Sequence, residues 1–570
     1  MAETIISPGV FQRENDISFI QPAPVEAGAA ILGPTVKGPV EIPTIVTSYN
    51  DYTRKFGVTF ESGSDKHEFL TSMAVKSYFD QGGNTCLVTR VVSGSFTAAT
   101  STDIIDSGSS GTSPFVLESI GKGVIYNNQS TSTYGDENSD GSLVSGSADN
   151  LRFDISNVDS RKGTFTLSIR RGDDNTKNKV VLESFNNLSL DPNSPNYIEK
   201  AIGNQVKSLN GDVIQSSGDY VNKSNFVRVS AVNSPTLNYL ENDGVTVRGN
   251  YADLLPIAQL GGFQGATGDI APNAKLYHNV DATNTQGLAG SDYDNVITLL
   301  GNADDYQFNV ISAPGLVNAL HGTQVDNLIS LVESRGDSIA VVDLVGHGSN
   351  VNEATTQAGD QNSSYAASYW PWLQVQSSTG KNVWVPASVV IPGIYAFTDG
   401  AAAPWFAPAG LVRGGIVGVI QAERKLSRTD RDSLYNGKVN PIATFPGTGL
   451  AVFGQKTLQT KASALDRVNV RRLLIDLKKF IGDQAQNLVF EQNTITTRNK
   501  FLSTVNPYLE SVTQRQGLYA YRVVMDDTNN TADVIDRNQL VGQIFIQPAK
   551  TAEFIVLDFV VEPTGASFAG

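Results

Sequence analysis

The chain has 570 residues, 40% hydrophobic and 17% charged, with 42 Lys and Arg against 57 Asp and Glu for a net charge of −15. That length predicts three to four domains with ample apolar core, and the acidic balance argues against a nucleic-acid partner, which needs a concentrated basic surface. A single cysteine, Cys86, excludes an intrachain disulfide framework, and four histidines leave few soft ligands for a transition metal.

Residues 1–6 carry no basic charge and no apolar run of signal-peptide length, so no targeting segment is expected. Composition shifts near residue 95 and again near 250. Between Ser101 and Asn250, Ser, Thr, Asn, Asp and Gly fill 79 of 150 positions, which could mean disorder. Short alternating runs at 163–170, 180–182 and 226–232 instead predict an inserted all-β domain with long loops. Further on, Phe308 to Ser312 reads as a strand, and Val325, Leu328, Ile329 and Val332 recur at helical spacing. Gly336 then stops the helix, and Ile339 to Val345 reads as a buried parallel strand, completing a βαβ unit. All four tryptophans fall between Trp370 and Trp405, among Pro and Gly, where aromatic anchors pack loops or an interface. The stretch 401–420 contains Pro404, Pro408, Arg413 and four glycines, so direct membrane insertion is not expected.

The last quarter is more regular. From Asp466 to Gly482 a helical wheel puts Val470, Leu473, Leu474, Leu477, Phe480 and Ile481 on one face, with Asp466 as N-cap and Gly482 as terminator. Arg467, Arg471, Arg472, Lys478 and Lys479 gather on another face, within a segment (456–515) holding ten cations against five acids. A solvated face and a docking face for an acidic partner are both open readings. A second helix is expected at about 497–516, then strands at 518–525 and 544–546. The apolar run 554–561 is the strongest strand candidate in the chain. An ordinary strand in its own sheet explains that run, and so does strand addition to another chain.

Enzyme chemistry finds little support. The segment from Gly449 to Thr457 approximates a phosphate loop, but Gln455 separates Gly454 from Lys456, where the chemistry needs lysine next to glycine. Asp343, His347 and Ser349 are merely close in sequence, which is no evidence of a triad. His67, His278, His321 and His347 stand singly, without metal-ligand spacing. The reading is a protein without catalytic residues, cofactor or metal.

The ends and the last quarter carry a resemblance. Ile6-Ser-Pro-Gly-Val-Phe-Gln-Arg-Glu-Asn-Asp16, the segments 28–40, 49–57 and 78–91, Ser364-Tyr-Ala-Ala-Ser-Tyr-Trp-Pro-Trp-Leu373 and Asn440-Pro-Ile-Ala-Thr-Phe-Pro-Gly447 all point one way. With Val468-Asn-Val-Arg-Arg-Leu-Leu474 and Val523-Val-Met-Asp-Asp-Thr-Asn-Asn-Thr531, they resemble the contractile tail sheath proteins of myovirus-type bacteriophages over about three quarters of the chain.

The resemblance implies an α+β multidomain chain. It would comprise an N-terminal arm (1–22), a discontinuous α/β middle part (23–95 and 251–455) and an inserted protruding β-domain (96–250). A conserved α/β C-terminal inner domain (456–548) and a C-terminal arm (549–570) would complete it. It further implies stacked hexameric rings in a helical polymer around a tail tube, contracting from a metastable extended state to drive the tube through the host envelope. Tube, baseplate and tail terminator proteins would be partners, and the particle would be a virion assembled in host cytoplasm. Exchanged strands would involve Ile5, Ile6, Val10 and Phe11, and Phe554, Ile555, Val556, Leu557, Phe559 and Val560. The cationic face at 467–479 becomes the candidate tube contact. The sheath of a phage-derived injection device, a tailocin or secretion system, is the alternative.

Overall fold

The computed structural model describes residues 26–62, 65–108, 111–128, 138, 140–270, 280–447 and 449–553. Its centre is an eight-stranded mixed sheet. In chain order the strands are β1 (Ala27–Gly33), β2 (Thr44–Val46), β3 (Cys86–Arg90), β4 (Phe308–Val317), β5 (Ile339–Asp343), β6 (Ala366–Trp370), β7 (Asn440–Phe445) and β8 (Gly449–Val452). The spatial order is β2-β3-β1-β4-β5-β6-β7-β8, parallel from β3 through β7, with antiparallel β2 and β8 at the edges.

Strands buried on both faces read as near-continuous apolar runs, as β1 does throughout and β5 does up to its last residue, Asp343. Ala30, Leu32, Ile311, Ala340 and Val342 join one core, under helix α2 (Asn318–Arg335). Ala29, Ile31, Val310, Ile339 and Val341 join the other, under α1 (Leu70–Asp80) and α3 (Ile391–Ala401). The expected βαβ unit is present. Val325, Leu328, Ile329 and Val332 of α2 are buried, and Gly336 caps it at φ 69°, a left-handed conformation that glycine adopts without a Cβ clash. The helix begins seven residues before the apolar periodicity does.

Between β3 and β4 the polar-rich segment forms antiparallel sheets. Strands at Val181–Ser189, Thr164–Arg171, Leu151–Asp159 and Gln259–Gly261 pair in that order, while Phe115–Lys122 lies between Val227–Val232 and Ala98–Ser101. Phe115, Phe153, Phe165, Leu167, Val227 and Phe263 build their common core. Gln259–Gly261 and Phe263–Gln264 carry these sheets past residue 250. A buried carboxylate, Asp174, receives Arg170 at 2.7 Å and Arg152 at 3.2 Å, which compensates the cost of burying the charges.

The C-terminal part follows α4 (Arg428–Asn436) and consists of α5 (Val468–Gln486), α6 (Ile495–Gln514) and a hairpin, β9 (Leu518–Val524) with β10 (Gln543–Pro548). Leu473 and Leu477 of α5, Phe501, Val505 and Leu509 of α6, and Leu518 and Met525 form its core with Trp405. Helix α5 runs through Gly482 instead of stopping there. Asp466 lies in a short 3-10 turn before it, and the N-cap position is Arg467.

Candidate assembly interface

Helix α5 is buried on two sides. Leu473 and Leu477 face α6 and the hairpin, and Phe480 stacks on Tyr508 with ring centres 3.8 Å apart. Val468 and Ile475 face the central sheet. At 100° per residue, 471, 472, 475 and 479 all lie within about 60° of 468, so most of the cationic face is the sheet-facing side.

The structure corrects the open cationic face for that reason. Arg471 and Arg472 are buried. Arg471 lies over the Tyr365 ring at 4.0 Å and donates to Ser364 Oγ at 2.5 Å. Arg472 lies over Tyr395 at 4.6 Å and donates to both Asp399 carboxylate oxygens, at 2.7 and 2.5 Å. Guanidinium groups suit such sites, because they stack flat and donate in plane. Lys479 pairs with Glu26 at 2.7 Å, and Arg467 with Glu553 at 2.7 Å. Lys478 is exposed, with its ammonium 3.2 Å from the Tyr365 hydroxyl.

The proposed exchange residues Ile5, Ile6, Val10 and Phe11, and Phe554, Ile555, Val556, Leu557, Phe559 and Val560, lie outside the described residues. What is described is the C-terminal hairpin and the first and last described residues, Glu26 and Glu553. β9 and β10 pair only with each other among the described residues, so each leaves one edge of backbone donors and acceptors open. Tyr521, Val523, Ile544 and Ile546 pack against the α5–α6 core, while Tyr519 and Phe545 stand 65% and 55% exposed.

At the last described residue, the Glu553 carboxylate receives three donors. Arg467 Nε lies 2.7 Å and Gln455 Nε2 2.9 Å from Oε1, and Tyr435 Oη lies 2.5 Å from Oε2. Burial alone would raise this carboxyl's pKa, but the three bonds outweigh burial and hold it below the usual range. The sequence reading missed Tyr435 and Glu553, and met Gln455 only as the residue that breaks a phosphate loop. The available signal was a lone glutamate directly before an apolar terminal run.

The enzyme-like constellations do not converge. Asp343 accepts from Ser388, at 2.5 Å from Oγ and 3.2 Å from the backbone N–H. Burial pushes its carboxyl up to about 7 against those two bonds. His347 sits between Trp372 and Trp384, at 5.8 and 5.2 Å, with Glu423 3.7 Å away. Trp372 and Trp405 anchor loops through bonds to the Val345 and Arg515 carbonyls. Gln455 turns to Glu553, and Lys456 caps the Tyr435 ring at 4.3 Å. His278 lies outside the described residues. Among the described residues no cluster of His, Cys, Asp or Glu is arranged to hold a metal, and no helix is long and apolar enough to cross a membrane.

Comparison with known proteins gives this geometry a context. Residues 286–458 match the phage tail sheath protein central domain, and 460–562 match the phage tail sheath C-terminal domain. The tail sheath protein of Vibrio phage KVP40 is 41% identical over 259 residues, covering 45% of this chain and 36% of that protein. That of Enterobacteria phage T4 is 42% identical over 187 residues, covering 33% and 28%. The chain thus spans about a third of the length of these two relatives. In fold, a sheath tail protein of Listeria innocua aligns over 92% of this chain and 96% of its own, at 11% identity and a TM-score of 0.51. Both sheath domains are thus matched in order across β4–β8, α5, α6 and the hairpin, so residues 286–562 of the chain carry the central and C-terminal domains of phage tail sheath proteins.

Proposed function

We propose that the chain is the structural, non-catalytic subunit of a contractile phage tail sheath. Subunits stack as hexameric rings in a helical polymer around the tail tube protein, ending at baseplate and tail terminator proteins. Contraction of the extended form drives the tube through the host envelope, and the particle is assembled in host cytoplasm. The observation that carries this reading is the hairpin β9–β10, a two-stranded sheet with a packed face and, among the described residues, no partner at either edge. An isolated hairpin is marginal in water, and strand addition completes it. The C-terminal family match, 460–562, takes in both the hairpin and the whole apolar run, 554–561, that follows it. Each added backbone bond nets only about 0.5–1.5 kcal/mol, so several per arm, repeated over every subunit, hold the mesh while weaker contacts rearrange.

Tube contact is the less specified part. Since Arg471 and Arg472 are committed inside the chain, the contact falls to exposed Lys478 and its surroundings. Negative-stain microscopy of the expressed full chain tests the whole reading, with rings or tubes as the expected result. Deleting residues 1–15 should leave a folded subunit that no longer forms ordered polymers. Wild-type polymers from that deletion would remove the N-terminal arm from the mesh. Tails joined to filled heads would separate a phage sheath from that of an injection device.

A further inference from the structure

The two described ends of the chain meet the same helix. Glu26 is held by Lys479 just past the middle of α5, and Glu553 by Arg467 at its start. We propose that Arg467, Tyr435 and Gln455 are positioning residues that clasp Glu553, and that Lys479 clasps Glu26, so that α5 fixes the points from which both arms leave the subunit. This inference rests on the strand-exchange reading and names the residues that aim the strands.

The Glu553 clasp is built from three separate elements, which is what pre-organises it. Tyr435 comes from α4, whose start is secured by a capping box between Ser427 and Asp430. Its ring is flanked by Lys456 at 4.3 Å and Arg467 at 5.8 Å. Gln455 and Arg467 are held together by the backbone: Val468 N–H donates to the Gln455 carbonyl at 2.8 Å, and Lys456 bridges to Arg467. Gln455 Nε2 also donates to Thr551 Oγ1 at 2.5 Å, so the clasp grips two residues of the departing segment. The glutamate carboxylate thus accepts one guanidinium, one phenol and one amide, a charge-assisted set whose members are already in place. By contrast, residues 549–553 are tied to the hairpin only weakly, through Ala549 N–H to the Gly517 carbonyl at 3.0 Å and Lys550 N–H to Tyr519 Oη at 3.4 Å. Without the clasp, the arm would pivot at the end of β10. With it, the pivot moves to Glu553, and the slack that strand addition must overcome shrinks by about five residues.

A carboxylate clasp also differs in kind from the strand it steers. Backbone pairing in the arm is insensitive to a single side chain, whereas the clasp depends on one charge. The two can therefore be broken separately. The test uses the full chain with Glu553→Gln, Arg467→Met, Tyr435→Phe and the exchanged pair Arg467→Glu/Glu553→Arg. Amide hydrogen exchange at 549–553 and the critical concentration for polymerisation, by sedimentation, are the readouts. Glu553→Gln and Arg467→Met should each raise exchange at 549–553 and the critical concentration about tenfold, with the thermal midpoint of the subunit nearly unchanged. Tyr435→Phe should show a smaller shift in the same direction, and the exchanged pair should recover part of the loss, which a merely structural role would not allow. Glu26→Gln should loosen the N-terminal root alone, read as faster exchange at 26–28. Wild-type exchange and critical concentration in Glu553→Gln and Arg467→Met would overturn the clasp. A chain ending at Glu553 separates the levels. If it fails to polymerise while Glu553→Gln polymerises normally, strand exchange stands and the clasp falls. If it polymerises like the full chain, strand exchange by the C-terminal arm falls and takes the clasp with it.

Discussion

The central sheet and the C-terminal hairpin are built from similar residues and reach opposite states of completion. β1, β4 and β5 have sheet neighbours on both sides and cores on both faces. β9 and β10 bury one face, have no other sheet neighbour among the described residues, and leave two large side chains, Tyr519 and Phe545, exposed. The lesson is about where a polymer keeps its stability. If the subunit contracts as proposed, rotating and sliding without unfolding, it needs one part that is finished alone and another that is finished only by its neighbours.

The largest expected effect breaks the first part without touching the second. Ile311, fully buried beneath α2, should cost about 2–5 kcal/mol as Ile311→Ala, through lost transfer energy and the cavity left behind. The matching change in the hairpin, Ile546→Ala, removes a half-buried side chain and should cost the isolated subunit about 1 kcal/mol or less, yet impair polymerisation more than Ile311→Ala does. Urea unfolding and sedimentation of the two variants decide it. Equal losses in both assays for both variants would erase the distinction between the regions.

A smaller effect sharpens the contrast through pH. Asp343 closes β5 inside the finished part, and burial raises its folded pKa to about 7, far above the ordinary 3.8. The fold therefore favours the protonated form. The stabilisation is complete below about pH 4 and is lost as the pH rises through about 7. Asp343→Asn keeps partners for both Ser388 groups and carries no charge, so the stability gap between pH 5 and pH 8 should narrow in the variant. Denaturation curves at the two pH values test this, and an unchanged gap would remove Asp343 as its source.

Much of this division was legible in the chain itself. Continuous apolar runs marked β5, helical spacing marked α2, α5 and α6, and alternation marked the strands at 164–171 and 227–232, because each pattern reflects which faces must be buried. The cationic face of α5 was read as open because long charged side chains usually are. Val468 and Ile475, seven residues apart and among those cations, were the sign that this side also had to pack. Nothing local could show that Tyr365 and Tyr395 wait opposite Arg471 and Arg472, since those contacts span 106 and 77 positions. The clasp was hidden for the same reason: Tyr435, Gln455, Arg467 and Glu553 meet only after four segments fold together.

The smallest expected effect concerns what remains of that face. Lys478 is its exposed member, and its contact with Tyr365 is a surface one that contributes little to folding. Lys478→Glu should change subunit stability by no more than about 0.5 kcal/mol and leave polymers of the pure protein intact. If the tube is met here, the same change should weaken co-assembly of sheath on purified tubes, and increasingly so at low ionic strength, where an unscreened like-charge contact is felt most. Arg471→Glu cannot report on the same question, because a buried carboxylate against Tyr365 and near Ser364 would disturb the joint between α5 and the central sheet. Co-sedimentation of the Lys478→Glu protein with tubes across a salt series isolates the surface term. Wild-type binding at every salt concentration would move the tube contact off α5 and leave that helix only with its two internal tasks, joining the sheet to the hairpin and holding the arm roots.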